Sequence, residues 1–307
     1  MTKEKEIRLN KDSYPAVSVI IPTLNAEQYM HELLESIHRQ SLQPCEIIVV
    51  DSASDDRTAE ICSNDDRVSL ISIRREDFDH GGTRDMALRR SRGEYVVFFS
   101  QDALPADNEC LARLTDRLSR DGIAVCTGRQ IARPSASIRE KLIRSYNYPQ
   151  TDNARSKKDL ARLGIKTYFC SNSFSAYDRK IYLELGGFEH PLLSNEDMLF
   201  AAKAISSGYS AAYCADAKVF HSHDHSLSEI FMRNYLEGYE IERHRTQLGD
   251  VSLESEGLKM VRSVGGELLR HGQVLSLLLF GTECTARFLG NRMGRRKARK
   301  TSSDKKR

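Results

Sequence analysis

At 307 residues the chain can build one large domain, or one domain plus an appended segment, around a sizeable core. With 40% apolar and 29% charged residues it reads as an ordinary soluble globular protein. The net charge of +3 hides an asymmetry: residues 292–307 carry nine Lys/Arg against one Asp, or +8, so the remaining 291 residues sum to −5. Seven scattered cysteines with no CxxC pair suit buried, reduced thiols in a cytosolic protein better than a disulfide or zinc framework. The N-terminus MTKEKEIRLNKD has no apolar stretch of a signal peptide, and the nearest approach to a spanning helix, VLSLLLF at Val274 to Phe280, falls far short of the ~18 apolar residues needed.

In chain order, Val17 to Ile21 predicts a strand ended by Pro22, and Met30, Leu33, Leu34 and Ile37 then recur at helical spacing. Glu46 to Val50 is the second strand; Ser52 to Asp55 match a capping box opening a short helix. Val68 to Ile73 is a third strand, Thr83 to Ser91 a helix, and Tyr95 to Phe99 a fourth strand. Apolar runs without strict alternation, separated by helices, predict a parallel sheet covered on both faces. Beyond these, Ile123 to Cys126 reads as a strand, Ser137 to Tyr146 as a helix, and Asn147 to Lys166 as a mobile polar connection. Tyr168 to Tyr177 is strand-like, Asp178 caps a helix reaching Leu185, and Gly186-Gly187 closes it. Met198 to Ser207 predicts a helix, Ala211 to Tyr213 a strand, and Leu227 to about Gln247 a long helix.

Ligands of open α/β sheets sit beyond the carboxyl ends of the strands. Here those ends carry Thr23 and Asn25, Asp51, and Asp102. The chain lacks GxGxxG after its first strand and lacks GxxxxGK[ST], which argues against a dinucleotide dehydrogenase and a P-loop enzyme. In FDHGGTRDMAL, the pair Gly81-Gly82 permits a tight turn at a helix start, whose free N–H groups attract an anion, and Arg84 adds a charge suited to phosphate. The bland alternative is a glycine turn with a solvated arginine. In HSHDHS, His221, His223 and His225 alternate and fall on one side if the strand continues, able to offer imidazoles to a divalent ion; otherwise they form a polar loop. In SNEDMLF, Glu196 and Asp197 either stabilise a helix start or supply a general base.

Together VSVIIPTLN, EIIVVDSASDD, HGGTRDMAL, GEYVVFFSQDALP, GGFEHPLLSNEDMLFAAKA and KVFHSH, running in order over about residues 17–239, resemble glycosyltransferase family 2, the inverting nucleotide-sugar enzymes of the GT-A fold. HGGTR followed by EYVVFFSQDALP further resembles its rhamnosyltransferase branch. The resemblance implies an α/β GT-A fold with a mostly parallel central sheet, helices on both faces and a C-terminal helical extension. It implies a nucleotide-sugar donor, with dTDP-L-rhamnose favoured over a UDP-sugar, and a saccharide or lipid-linked acceptor of surface polysaccharide; no nucleic-acid partner is expected. Asp51, Thr23 and Asn25 would then lie at the nucleotide, with His80, Gly81, Gly82, Arg84 and Gln101 also on the donor side and Arg84 at the diphosphate. Asp102 matches the second acid of a DxD motif and would hold Mg²⁺ or Mn²⁺ with His221 or His223; Ser100 stands where the first acid is common. Asp197, with Glu196 beside it, matches the catalytic base, and the role of Asp85 is left open.

The expected organisation is an N-terminal extension (1–15), a GT-A domain (16–245), a C-terminal helical segment (246–291) and a basic disordered tail (292–307). In that segment Leu268, Leu269, Leu275, Leu278, Leu279, Phe280, Phe288 and Leu289 abut the +8 tail, which suits either an anionic bilayer surface or packing on the core. The corresponding location is cytoplasmic, peripheral on the inner face of the cytoplasmic membrane. Two rival functions are a metal-dependent hydrolase using HSHDH, which resembles the HxHxDH cluster of metallo-β-lactamases, and a non-catalytic nucleotide-sugar-binding protein.

Overall fold

A computed structural model describes residues 15–223, 225–249 and 254–304. The expected N-terminal extension lies outside the described residues except for its last position, as does Asp224 of HSHDHS. Nine strands share one sheet: β1 (Val17–Thr23), β2 (Glu46–Asp51), β3 (Val68–Ser72), β4 (Tyr95–Phe99), β5 (Leu104–Pro105), β6 (Ile123–Ile131), β7 (Asn153–Arg155), β8 (Phe174–Asp178) and β9 (Ser210–Phe220). The helices are α1 (Glu27–His38), α2 (Thr58–Ser63), α3 (His80–Arg90), α4 (Cys110–Leu118), α5 (Ile138–Asn147) and α6 (Leu160–Leu163). They continue with α7 (Arg179–Glu184), α8 (Glu196–Ser206), α9 (Leu227–Arg243), α10 (Arg245–Leu248), α11 (Glu254–Arg270) and α12 (Val274–Asp304).

The strand order is β3-β2-β1-β4-β8-β6-β9-β5, with β7 on β9. β1 to β4 form a parallel half, and β8 runs antiparallel between β4 and β6. β9 is again parallel to β6, so the carboxyl ends of β1, β2, β4 and β9 and the amino end of β8 meet on one edge. That edge is where a ligand has access, because helices cover both faces. α1 and α4 bury Met30, Leu33, Leu114 and Leu118 on one side, and α3, α7 and α8 bury Leu88, Tyr182 and Phe200 on the other. Pro22 does not end β1; it lies past the last residue paired to β4, where the strand no longer needs every N–H on that side.

Several expectations are corrected. Ser52 to Asp55 form no capping box: Asp51 accepts from Ser54 N–H, and the helix starts only at Thr58, whose N–H is taken by Asp56. The 147–166 connection is not loose, since β7 pairs with β9 and a capping box at Ser156 and Asp159 opens the next short turn. The 292–307 tail is helical as far as Asp304, continuous with α12. Its inner face carries Gly290, Gly294 and Ala298, and a Cβ on Gly294 would stand 2.0 Å from the Tyr235 carbonyl oxygen of α9. The two helices thus pack backbone against backbone, and Arg295 and Arg299 pair across the seam with Glu242, at 3.0 and 2.8 Å.

Candidate active site

Asp102 reaches its partners through sheet geometry. Leu104 pairs with Phe220 across β5 and β9, so two residues back along one strand and one to three forward along the other set Asp102 beside His221 and His223. Its Oδ1 lies 3.3 Å from His221 Nε2 and its Oδ2 3.4 Å from His223 Nδ1. The three can converge on one cation. His225 does not join them; it stacks on His223 with ring centroids 4.5 Å apart and is exposed. Among the described residues, the third member of the trio comes not from HSHDH but from the turn between β4 and β5.

Two residues that the motifs did not reveal orient this trio. Gln130 Oε1 on β6 lies 2.7 Å from His221 Nδ1 and also accepts from Arg144 of α5. A proton on Nε2 hydrogen-bonds Asp102 when no cation is bound, and Gln130 Oε1 can accept that proton's counterpart on Nδ1 when a cation takes the Nε2 lone pair. Burial opposes ionisation of Asp102, but the hydrogen bond and charge of His221, with His223, hold its carboxyl down at about 2. Burial and then His221 push His223 down to about 3, and burial lowers His221 as well. A carboxylate and two imidazoles whose charged form burial disfavours thus face one point, an arrangement that fits a divalent cation. Arg133 supports the same turn by donating from Nη2 to the Asp102 carbonyl oxygen at 2.9 Å.

The paired acids start α8 on the same edge. Asn195, in the left-handed region at φ 66°, turns the chain into the helix and donates from Nδ2 to the Glu237 carbonyl oxygen of α9 at 3.2 Å. Asp197 is half-buried; its Oδ2 accepts the Asn172 N–H at 3.0 Å and its Oδ1 its neighbour's N–H, Met198, at 2.7 Å. Burial, then the charge of Glu196, push Asp197 up to about 7 in spite of those bonds. Glu196 is buried and accepts from Asn172 Nδ2 at 3.0 Å. Asn172, itself held by the Tyr177 hydroxyl at 2.7 Å, therefore grips both acids, and no motif in the sequence singles it out.

Arg84, expected at a diphosphate, is turned inward: its Nη1 donates to the His80 carbonyl oxygen, and its buried Nε lies 3.5 Å from Glu196 Oε1. Nor are the N–H groups of Gly81-Gly82 an open anion cradle. α3 begins at His80, three residues before the expected start, and the Asp79 carboxylate caps it by accepting from Gly82 N–H while also accepting Leu192 N–H at 2.7 Å. Gly81 is needed for space, since a Cβ there would lie 2.1 Å from the Glu189 carbonyl oxygen. His80, lowered by burial, sits within the fields of Glu196 and Arg84. Asp85 accepts from the Tyr182 hydroxyl at 2.9 Å and pairs with Arg89, a structural role. At the far end of the edge, Asp51 is buried, bonded to Thr23 Oγ1 at 3.2 Å and to Ser54. Asn25 Oδ1 accepts Asp55 N–H, and Gln101 clamps the backbone of Leu24 through both amide atoms. These four shape the loops after β1 and β2 while leaving Asn25 and Leu24 exposed to a ligand.

The sequence profile described as "Glycosyl transferase family 2" matches residues 18–186. The O-antigen chain rhamnosyltransferase RfbN of Salmonella typhimurium is 40% identical over 221 residues, 71% of this chain and 70% of that protein. WbaN of Salmonella anatum, also named an O-antigen chain rhamnosyltransferase, is 38% identical over 72% of this chain and 70% of its own. Among solved structures, the mannosyltransferase PcManGT of Pyrobaculum calidifontis, in complex with GDP-Man and Mn²⁺, superposes with TM-score 0.63 at 20% identity, covering 92% of this chain and 89% of that one. With a profile spanning over half the chain and a relative at this identity over more than two thirds of both lengths, the chain belongs to glycosyltransferase family 2 and is a glycosyltransferase of GT-A-like fold.

Proposed function

We propose that the chain transfers L-rhamnose from dTDP-L-rhamnose, with inversion, to a hydroxyl of a saccharide or lipid-linked acceptor during assembly of an O-antigen-type surface polysaccharide. The carrying observation is that the Asp102, His221 and His223 donors and the Asp197 and Glu196 pair lie on one sheet edge. The names of the two Salmonella relatives support the sugar and the pathway class, and the Mn²⁺ in the Pyrobaculum structure supports a divalent ion. Asp102, His221 and His223 would hold Mg²⁺ or Mn²⁺, which when bound neutralises charge on the departing nucleoside diphosphate. Asp197, poised near neutrality, takes the acceptor hydroxyl proton as the new C1–O bond forms and the old one breaks toward the diphosphate. Asn172 aims both carboxylates, and Arg84 balances the charge of Glu196. Thr23, Asn25, Asp51 and Gln101 form the nucleotide end of the edge, with His80, Gly81 and Gly82 nearer the acids.

A thermal-shift panel of nucleotide sugars with Mn²⁺ tests this. Selective stabilisation by dTDP-L-rhamnose, lost in Asp102→Ala, is expected; preference for a UDP-sugar sinks the rhamnosyl assignment. Peripheral attachment to an anionic membrane belongs to the same proposal. Among the described residues no helix is long and apolar enough to cross a membrane. Leu269, Val274, Leu275 and Leu278 nevertheless crowd the turn between α11 and α12 at 62 to 71% exposure. Leu275→Asp with Leu278→Asp should abolish binding to phosphatidylglycerol vesicles, and unchanged binding removes attachment from the reading.

A further inference from the structure

One short segment joins the two halves of the site. Ser171, Asn172 and Ser173 lead into β8, whose amino end lies on the reaction edge between β4 and β6. Asn172 faces the acids: its backbone N–H donates to Asp197 Oδ2 and its Nδ2 to Glu196 Oε1, both at 3.0 Å. Ser171, the residue before it, serves the cation trio instead. Its Oγ accepts from Gln130 Nε2 at 2.9 Å, and the Oε1 of that same amide lies 2.7 Å from His221 Nδ1. The amide has one orientation open to it. Arg144 Nη1 donates to Gln130 Oε1, so the oxygen faces the guanidinium and the nitrogen is left for Ser171.

An unbroken line of contacts therefore runs from Asp102 through His221, Gln130, Ser171 and Asn172 to Asp197, with one covalent step between Ser171 and Asn172. Gln130, Asn172 and His221 are 1, 3 and 4% exposed, so water has little access to replace a bond that shifts, and a buried polar chain of this kind acts as a unit. The segment is also anchored from behind. The Tyr177 hydroxyl donates to Asn172 Oδ1 at 2.7 Å, Ser175 Oγ to the Ser171 carbonyl oxygen at 2.6 Å, and Ser100 N–H to the Ser173 carbonyl oxygen at 3.0 Å. With the backbone pinned at these points, the hydroxyl of Ser171 adds the tie to Gln130, and through Gln130 the tie to His221.

We propose that Ser171 is a positioning residue that couples the trio to the acid pair, so that the geometry of the acids and the affinity of Asp102, His221 and His223 for a divalent cation depend on each other. The assignment rests on the transferase reading above, in which the trio holds the cation and Asp197 takes the proton. Coupling between two sites is reciprocal. A change that loosens the acids must weaken cation binding, and removal of the Ser171 hydroxyl must disconnect the two.

Titration calorimetry of the full chain with Mn²⁺ tests the link from the acid side. Asn172→Ala touches no member of the trio, yet should weaken Mn²⁺ binding by about fivefold or more. Tyr177→Phe, which frees Asn172 Oδ1 and keeps the ring, should act in the same direction and carries the test if Asn172→Ala does not fold. Both losses should vanish when Ser171 is already replaced by Ala, a non-additivity that independent sites do not show. From the cation side, Ser171→Ala should lower kcat about tenfold or more with Mn²⁺ and dTDP-L-rhamnose saturating, although its side chain bonds to neither acid. Histidine-selective NMR spectra in EDTA need neither cation nor turnover: the His221 ring nitrogens should shift in Tyr177→Phe, and should not shift when the same change is made in Ser171→Ala. Circular dichroism and the urea midpoint verify that each variant is folded. Unchanged Mn²⁺ affinity in the folded acid-side variants, losses that simply multiply with that of Ser171→Ala, or full kcat in Ser171→Ala once Mn²⁺ saturates overturns the proposal. Absence of Mn²⁺ binding or of turnover in the wild type, with the His221 shifts as expected, sinks the transferase reading and leaves the link standing.

Discussion

Replacing Glu196 by Gln removes one charge beside Asp197 while keeping the Oε1 acceptor that Asn172 Nδ2 uses. Asp197 rises from 3.8 to about 7, with burial as the larger cause and Glu196 the second. Removing the Glu196 charge therefore lowers Asp197 from about 7 toward its ordinary range, each pH unit of that fall being equivalent to about 1.4 kcal/mol. Arg84, relieved of its partner 3.5 Å away, pulls in the same direction, because an uncompensated cation favours the carboxylate. The sign follows from the role of a base. A general base works deprotonated, so in the wild type kcat/KM falls as pH drops through about 7. In Glu196→Gln this acidic limb should move to lower pH, leaving the variant relatively more active at pH 6 than at pH 8. The assay follows release of nucleoside diphosphate from pH 5 to 9 at subsaturating acceptor, with circular dichroism guarding against unfolding from the unpaired Arg84. A limb that stays in place, or moves upward, refutes the assignment of Asp197 as the titrating base.

Gln130→Leu removes the acceptor at His221 Nδ1 and should weaken Mn²⁺ binding about tenfold to a hundredfold by titration calorimetry; an unaltered affinity means the trio needs no orienting partner. Gly81→Ala drives a methyl to 2.1 Å from the Glu189 carbonyl oxygen and should lower stability by roughly 1–3 kcal/mol in urea unfolding, with activity falling as the turn before the acids shifts. Gly294→Ala, at 2.0 Å from the Tyr235 carbonyl oxygen, should lower both the unfolding midpoint and kcat. Gly281→Ala, in the same helix with nothing within 4 Å, should be neutral or stabilising by up to about 1 kcal/mol.

The parallel half of the sheet was legible because β1, β2 and β4 are short apolar runs buried on both faces, a pattern that needs no knowledge of partners. β9 reads in sequence as two pieces, since Asp216 interrupts its apolar run, yet it is one strand whose register against β6 shifts at Gly128 and Arg129. The 147–166 segment looks loose because what orders it is distant: β7 pairs with β9, about sixty residues later in the chain. Side chains follow the same rule. Asp102, His221, His223, Glu196 and Asp197 stand in dense local motifs, whereas Gln130 acts 91 residues from His221 and Asn172 acts 25 from Asp197. A glutamine or asparagine inside an apolar strand or loop carries no local sign of the partner that gives it a role.

The C-terminal helix makes the point most sharply. A run of nine Lys/Arg reads as a solvated tail when hydrophobic periodicity is the signal sought, and α12 has little such periodicity there because its inner face is built from glycine and alanine. That face touches α9 backbone to backbone, and α9 in turn holds the turn before the acids: Glu240, fully buried, accepts the Leu193 N–H at 3.1 Å, and the Glu237 carbonyl oxygen accepts from Asn195. Asn195 is the left-handed residue from which α8 and its Glu196-Asp197 pair begin. A displacement of α12 therefore reaches the acids through two hydrogen bonds and one strained backbone position, without touching a ligand. Gly294→Ala separates this from simple destabilisation: at a temperature where the variant is fully folded, a kcat still below wild type with unchanged Mn²⁺ affinity is expected, and full recovery of kcat confines α12 to holding the fold together.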